Sequence, residues 1–193
     1  MKYFRYHNTN CFFVECAADG LLAFDAGWPC TLYEYRRCMK ELALNFENIE
    51  MAVVSHMHMD HAGLLGEFIN ANIECLVLDE QAERIDEMER IILKNIEYKD
   101  YARIKKAKLT RVSLARLNAL LAKECAKGEM IMTPGHSDDS MSFKSDDGEA
   151  LIGDLSPLNQ IMSDDEQSYS SWKILKDRGA KIIFPSHANL FSL

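Results

Sequence analysis

Three histidines and an aspartate fall within six residues, His56-Met57-His58-Met59-Asp60-His61, one residue beyond the apolar run Met51-Ala52-Val53-Val54. A strand would send alternate side chains to opposite faces, but a tight loop beyond its end can turn several of them inward together. Imidazole and carboxylate suit Zn²⁺, Fe or Mn²⁺. Four donors in six residues exceed what one tetrahedral ion takes from a single loop, so the cluster points to two adjacent ions. The plainer alternative is a solvated, metal-sticky surface loop.

Further candidate ligands follow other predicted strands. His136 comes after Thr133-Pro134-Gly135, Asp154 closes Leu151-Ile152-Gly153, and His187 follows Pro185-Ser186. Taken singly, His136 and His187 read as packing residues and Asp154 as a turn cap. Their common placement just past strand ends favours one site. Asp25 also ends an apolar run. It either accepts an imidazole N–H or caps a turn. Ser55 and Ser186 read first as turn formers, Met57 and Met59 as packing residues, and His7, without a partner motif, as ordinary.

The patterns predict an alternating chain. Residues 11–16 and 21–25 form a hairpin turning at Ala17-Ala18-Asp19-Gly20. Thr31 and Glu34 suggest a capping box for a helix running to about Leu44, with Leu32, Tyr35, Met39 and Leu42 on one side. Strands follow at 50–54 and 73–78, with a short helix at 63–70 between them. Residues 80–127 read as helical, with an apolar stripe at Ile85, Met88, Ile92 and Ile96. A second helix, capped at Thr110, carries Leu114, Leu117 and Leu121 and stops at Gly128. Strands resume at 129–132, 141–144 and 150–153, turning at Asp146-Asp147-Gly148. A helix over 168–178, ended by Gly179, leads to the strand 181–184. The order hairpin, aspartate, helix, strand, Ser-His occurs twice, with 31 residues from Asp25 to His56 and 33 from Asp154 to His187. The halves share little identity, so the repeat rests on order and spacing. It predicts two similar β-rich halves, packed sheet against sheet with helices outside.

These residues resemble the metallo-β-lactamase-fold hydrolases. The match is HxHxDH at His56, His58, Asp60 and His61, then Ala62-Gly63, with Thr133-Pro134-Gly135-His136-Ser137, Gly153-Asp154 and Ser186-His187 in order. Phe24-Asp25-Ala26-Gly27 and Asn10-Cys11-Phe12-Phe13-Val14 extend it. The resemblance implies an α/β fold, a four-layer αββα sandwich, as one metallo-hydrolase domain over 1–193 with a helical insertion at about 80–127. It implies His56, His58 and His136 on one metal, Asp60, His61 and His187 on a second, and Asp154 bridging. Asp60, His61 and Asp154 would act in catalysis, with a water or hydroxide shared by two divalent ions, zinc first and iron or manganese open. Asp139 departs from the pattern, standing where the family commonly has glycine.

Charge and composition narrow the reaction. The net charge of −8 argues against binding a nucleic-acid backbone. Residues 94–127 nevertheless carry ten Lys/Arg against three Asp/Glu. That basic stretch would attract an anionic substrate, or else pair with acidic patches as a solvated helical face. No apolar run is long enough to span a bilayer, and the first residues lack a signal core. A cytoplasmic chain with reduced cysteines is the expectation. Within the family, the absent signal weighs against a periplasmic β-lactamase and the compact length against members with added modules. The expected reaction is hydrolysis of an ester, lactone or thioester in a small metabolite. A phosphodiesterase, a mono-iron persulfide dioxygenase and a non-catalytic metal-binding protein are the alternatives. The helical stripes suit core packing or a homodimer.

Overall fold

The structure, a computed structural model, describes residues 1–16, 19–124 and 127–193. Six strands form the first sheet in sequence order: β1 (Lys2–Tyr6), β2 (Thr9–Glu15), β3 (Leu21–Phe24), β4 (Ile49–Val53), β5 (Glu74–Leu78) and β6 (Thr110–Val112). The first three are antiparallel and the last four, β3 to β6, run parallel. The second sheet has the order β11-β10-β9-β8-β7. Its strands are β7 (Gly128–Met132), β8 (Met141–Ser145), β9 (Glu149–Gly153), β10 (Ile182–Pro185) and β11 (Phe191–Ser192). The helices are α1 (Leu32–Glu41), α2 (Met59–Ala62), α3 (Leu65–Asn70), α4 (Asp79–Ile92), α5 (Leu114–Glu124) and α6 (Glu166–Asp177).

Strand alternation produces the layers. In β2 and β3, Phe12, Leu22 and Phe24 point between the sheets, where they meet Met130, Met141, Phe143, Leu151 and Phe184 of the second sheet. Their neighbours Phe13, Leu21 and Ala23 point outward under α1, α3 and α4. Ile152 and Ile183 pack outward beneath Trp172 and Leu175 of α6. Strands covered on both faces therefore read as unbroken apolar runs. The result is the expected four-layer αββα sandwich.

The internal repeat holds. The β2–β3 hairpin leads through Asp25 and α1 to β4, parallel to β3. The β8–β9 hairpin leads through Asp154 and α6 to β10, parallel to β9. Each crossover carries a register irregularity.

Several local expectations need correction. The 80–127 stretch is not wholly helical. Thr110 opens the edge strand β6, and α5 is entered from Ser113, whose Oγ accepts the Arg116 N–H at 3.3 Å. Ile96 leaves the stripe and is 82% exposed, whereas Ile85, Met88 and Ile92 are buried. Leu117 and Leu121 belong to the intersheet core, and the Asn118 side chain bonds both the N–H and the carbonyl of Met130 at the outer edge of β7. Thus α5 covers an exposed strand edge. The Thr31–Glu34 capping box does not form. Thr31 Oγ1 donates to the Trp28 carbonyl at 2.6 Å, and Glu34 meets His7 at 3.1 Å. Cys11, Cys30, Cys38 and Cys75 are free thiols, but Cys16 is disulfide-bonded, contrary to the fully reduced expectation. Ala17 and Ala18 of the predicted turn, and Cys125, lie outside the described residues.

Candidate metal centre

Five strand ends converge on one edge of the sandwich. Asp25 follows β3, His56 follows β4, His136 follows β7, Asp154 follows β9 and His187 follows β10. Backbone bonds join the two sheets there: Met141 N–H to the Ser55 carbonyl at 2.8 Å, and Asn10 N–H to the Ser186 carbonyl at 2.7 Å. Beyond His58 the chain enters α2, which presents Asp60 and His61 within one helical turn. Two glycines make this geometry attainable. A Cβ on Gly63 would lie 2.3 Å from Pro29 N. Gly153 has φ +57°, and a Cβ there would come within 2.7 Å of Ser55 Cβ.

All seven predicted ligands meet. His56, His58 and His136 form one group that could hold a metal ion, and Asp60, His61, Asp154 and His187 form a second. His58 Nδ1 lies 3.0 Å from His56 Nε2 and 3.1 Å from His136 Nε2. Asp60 Oδ2 lies 3.2 Å from His61 Nε2 and 3.1 Å from His187 Nε2. Asp154 stands between the groups. Its Oδ2 is 3.5 Å from His136, 3.9 Å from His56 and 3.2 Å from His187, and its Oδ1 is 3.3 Å from His61. His61 Nε2 and Asp154 Oδ1 are buried and, although 3.3 Å apart, make no well-directed hydrogen bond. Orphaned polar atoms of this kind cost free energy unless something completes them. A pair of divalent cations fits that donor set in number, type and charge.

The supporting shell is tightly wired. The fully buried Asp25 carboxylate accepts from Ser55 N–H at 2.6 Å, Ser55 Oγ at 3.1 Å, His61 Nδ1 at 2.9 Å and Ser186 Oγ at 3.3 Å. Of the two readings for Asp25, imidazole orientation is the one realised, leaving His61 Nε2 to face the donors. Ser55 Oγ also sits 3.0 Å from His56 Nδ1, so Ser55 and Ser186 do more than form turns. His187 Nδ1–H donates to the Asn8 carbonyl at 2.7 Å. Met57 packs in the core and Met59 against it, as expected. His7 is exposed and outside both groups.

The roles of other shell residues escaped the sequence reading. Trp28 Nε1–H donates to Thr9 Oγ1 at 3.0 Å, and the Thr9 hydroxyl donates to Asp60 Oδ2 at 3.3 Å. The buried Asp139 carboxylate accepts the Met57 N–H at 2.8 Å, tying the His136 loop to the backbone between His56 and His58. The unusual residue at 139 thus braces the motif. Buried Gln81 donates to the Val54 carbonyl at 2.9 Å and accepts the Leu78 N–H at 3.1 Å.

Electrostatics divide the two groups. Burial, reinforced by the neighbouring His61, holds His56 well below its ordinary pKa. Burial, then His136, lowers His58. Burial also opposes charge on His61, but Asp25, Asp154 and Asp60 outweigh it and raise the pKa. His187 is raised to about 10 by Asp154 and Asp60. Burial would raise both of those carboxyls, yet His187 and His61 hold them well below the usual carboxylate range. In the first group His56 and His58 are disfavoured as cations, whereas the second is a network of ion pairs.

Comparison with known proteins agrees with this architecture. A metallo-beta-lactamase family protein from Thermus thermophilus, TTHA1429, is similar in structure at a TM-score of 0.70 with 16% identity, over 98% of this chain and 72% of that one. TTHA1623 in a di-iron-bound form matches at 0.70 with 15% identity, over 99% and 93%. A metallo beta lactamase from Erythrobacter litoralis matches at 0.69 with 16% identity, over 99% and 85%. At these identities the likeness is one of fold. The sequence profile described as Metallo-beta-lactamase superfamily matches residues 5–187, and the chain therefore belongs to that superfamily.

Proposed function

We propose that this chain is a metal-dependent hydrolase, a single metallo-hydrolase domain that cleaves an ester, lactone or thioester in a small metabolite. The observation that carries this reading is the position of Asp154, within 3.9 Å of His56, His61, His136 and His187 at once. In this reading His56, His58 and His136 hold one ion, Asp60, His61 and His187 hold the other, and Asp154 is shared. The similar structure of TTHA1623 is in a di-iron-bound form. That supports two ions and keeps iron beside zinc and manganese as the metal.

Two divalent ions at such a site supply a lowered pKa for water and positive charge facing the developing oxyanion. The chain's own residues supply the geometry. Asp25 and Ser55 hold the His61 ring with Nε2 toward Asp60 and Asp154. Thr9 holds one oxygen of Asp60, and the Asn8 carbonyl fixes His187. Donors held by packing and hydrogen bonds need no reorganisation as charge develops.

Mouth charge favours a carbonyl substrate over a phosphodiester. Arg84 stands beside the donors, but Asp138 pairs with it at 3.3 Å and Glu87 lies nearby. Of the ten cations in the basic stretch, Arg103 pairs with Glu89, Lys106 with Asp86 and Arg111 with Asp79, and none lines the cavity beside the donors. A phosphodiester would meet few uncommitted cations.

Asp60→Ala tests the reading. It is expected to remove one ion per chain and to lower hydrolysis of an ester, lactone and thioester panel by roughly a hundredfold or more. Elemental analysis and initial rates measure both. Undiminished kcat with a single metal per chain would overturn the two-ion mechanism.

A further inference from the structure

A cavity of about 340 Å³ opens directly beside His58 and Asp60. That volume lies at the small end of the ~300–1,000 Å³ typical of small-molecule pockets. One side is built by the motif loop, through Met57 and Met59, and the facing side by α4, through Met88 and Ile91. The helical period puts Arg84, Glu87, Met88 and Ile91 on neighbouring turns of one face. Arg84 is the one Lys or Arg of the lining, set against Asp60, Glu87 and Asp139 and paired with Asp138, so the pocket offers little to attract an anion.

Three methionines are an unusual lining for one small cavity. Their unbranched, polarizable side chains adapt to flexible apolar groups better than to rigid ones. Ile91 remains 55% exposed although its neighbours on the inner face of α4 are buried. An exposed isoleucine bordering an apolar cavity is surface that a ligand's apolar portion would cover.

We infer that this cavity receives a linear aliphatic acyl chain, placing the substrate's carbonyl at the His58–Asp60 end and its methylenes between Met57, Met59, Met88 and Ile91. The inference rests on the hydrolase reading for the position of the carbonyl. The occupant follows from the lining: room for a chain rather than a polymer, four apolar side chains among the ten lining residues, and no free cation to favour an anion. Each methylene so buried contributes ~0.8 kcal/mol, about fourfold in kcat/KM.

Two measurements on the metal-loaded protein test this. In the first, p-nitrophenyl esters from acetate to octanoate are compared. Catalytic efficiency is expected to rise about fourfold per added methylene until the cavity is full. In Ile91→Glu, the octanoate-to-acetate ratio is expected to fall at least tenfold. In the second, ¹³C-methyl methionine NMR follows titration with octanamide and, as a control, acetamide. Octanamide is expected to shift the Met57, Met59 and Met88 methyl signals, assigned by Met→Leu variants, and acetamide to leave them in place. Ester cleavage with no dependence on chain length would overturn the acyl pocket while leaving the hydrolase reading intact. Methionine shifts without ester cleavage would support the pocket and count against the hydrolase reading. Methionine signals unmoved by octanamide would overturn the pocket whatever the ester rates.

Discussion

His61 and His187 carry the sharpest consequence of the site's electrostatics. Both are raised above the ordinary histidine value. His187, raised to about 10, holds a second proton near neutrality in the metal-free protein. With its folded value above the unfolded one, its contribution to the metal-free fold is full below about pH 6.5 and fades as pH rises toward 10. A cation at its Nε2 atom must displace that proton. Metal loading at about pH 7.5 is therefore expected to release at least one proton per chain, read with a pH indicator in weak buffer. Release of none would contradict a protonated His187. Asp25 is the second test. Asp25→Ala leaves His61 and the Ser55 N–H buried without their partner, at a cost of about 3–5 kcal/mol in urea unfolding of the metal-free protein. Chelator competition should show metal affinity roughly 10–100-fold weaker. Unchanged affinity would mean that His61 is oriented by something else. The histidines and Asp154 were legible in the sequence because ligand chemistry restricts residue type. Thr9 and Gln81 were not, and Asp139 showed only as a departure from the pattern, since each acts through a partner brought close only by folding. Asp139 and Met57 are 82 residues apart.

The elements were legible where burial imposes a period. Both hairpins, the parallel crossovers and α1, α4, α5 and α6 follow from apolar runs and stripes. Three strands escaped for local reasons. In β1 the alternation of Phe4 and Tyr6 with Tyr3 and Arg5 is short and aromatic. β6 and β11 have three and two residues, too few to show alternation, and are made by pairing with β5 and β10. The segment after α4 is irregular yet fastened. Buried Glu89 accepts from Arg103 Nε at 2.9 Å and Nη2 at 2.8 Å, from the Tyr101 hydroxyl at 3.4 Å and from Ile104 N–H at 2.7 Å. One carboxylate on α4 thus anchors the loop that leads to β6. Glu89→Ala strips the partner from two buried donors and should cost about 1–3 kcal/mol in denaturant unfolding. It should also speed amide exchange in residues 98–105 ahead of the sheets. Exchange no faster than in the unaltered protein would show that the loop is held by its apolar contacts alone.

Two halves of like topology place their strand ends on one edge, and the site needs both. His56, His58, Asp60 and His61 come from the first half, and His136, Asp154 and His187 from the second. Backbone bonds across the sheets and the Asp25–Ser186 contact join the halves at that edge. Among the described residues no helix is long and apolar enough to cross a membrane. Three of the ten cations in the basic stretch that stood out in the sequence pair with acidic residues of α4, a pairing that charge counting alone could not reveal. The test of the dinuclear centre is the number of metal ions per chain, by elemental analysis of protein purified without a His-tag or added metal, with Asp154→Ala in parallel. Two zinc, iron or manganese ions per chain, falling in the variant, is the predicted result. Absence of bound metal even after reconstitution, or the same content in both proteins, would contradict a centre shared through Asp154.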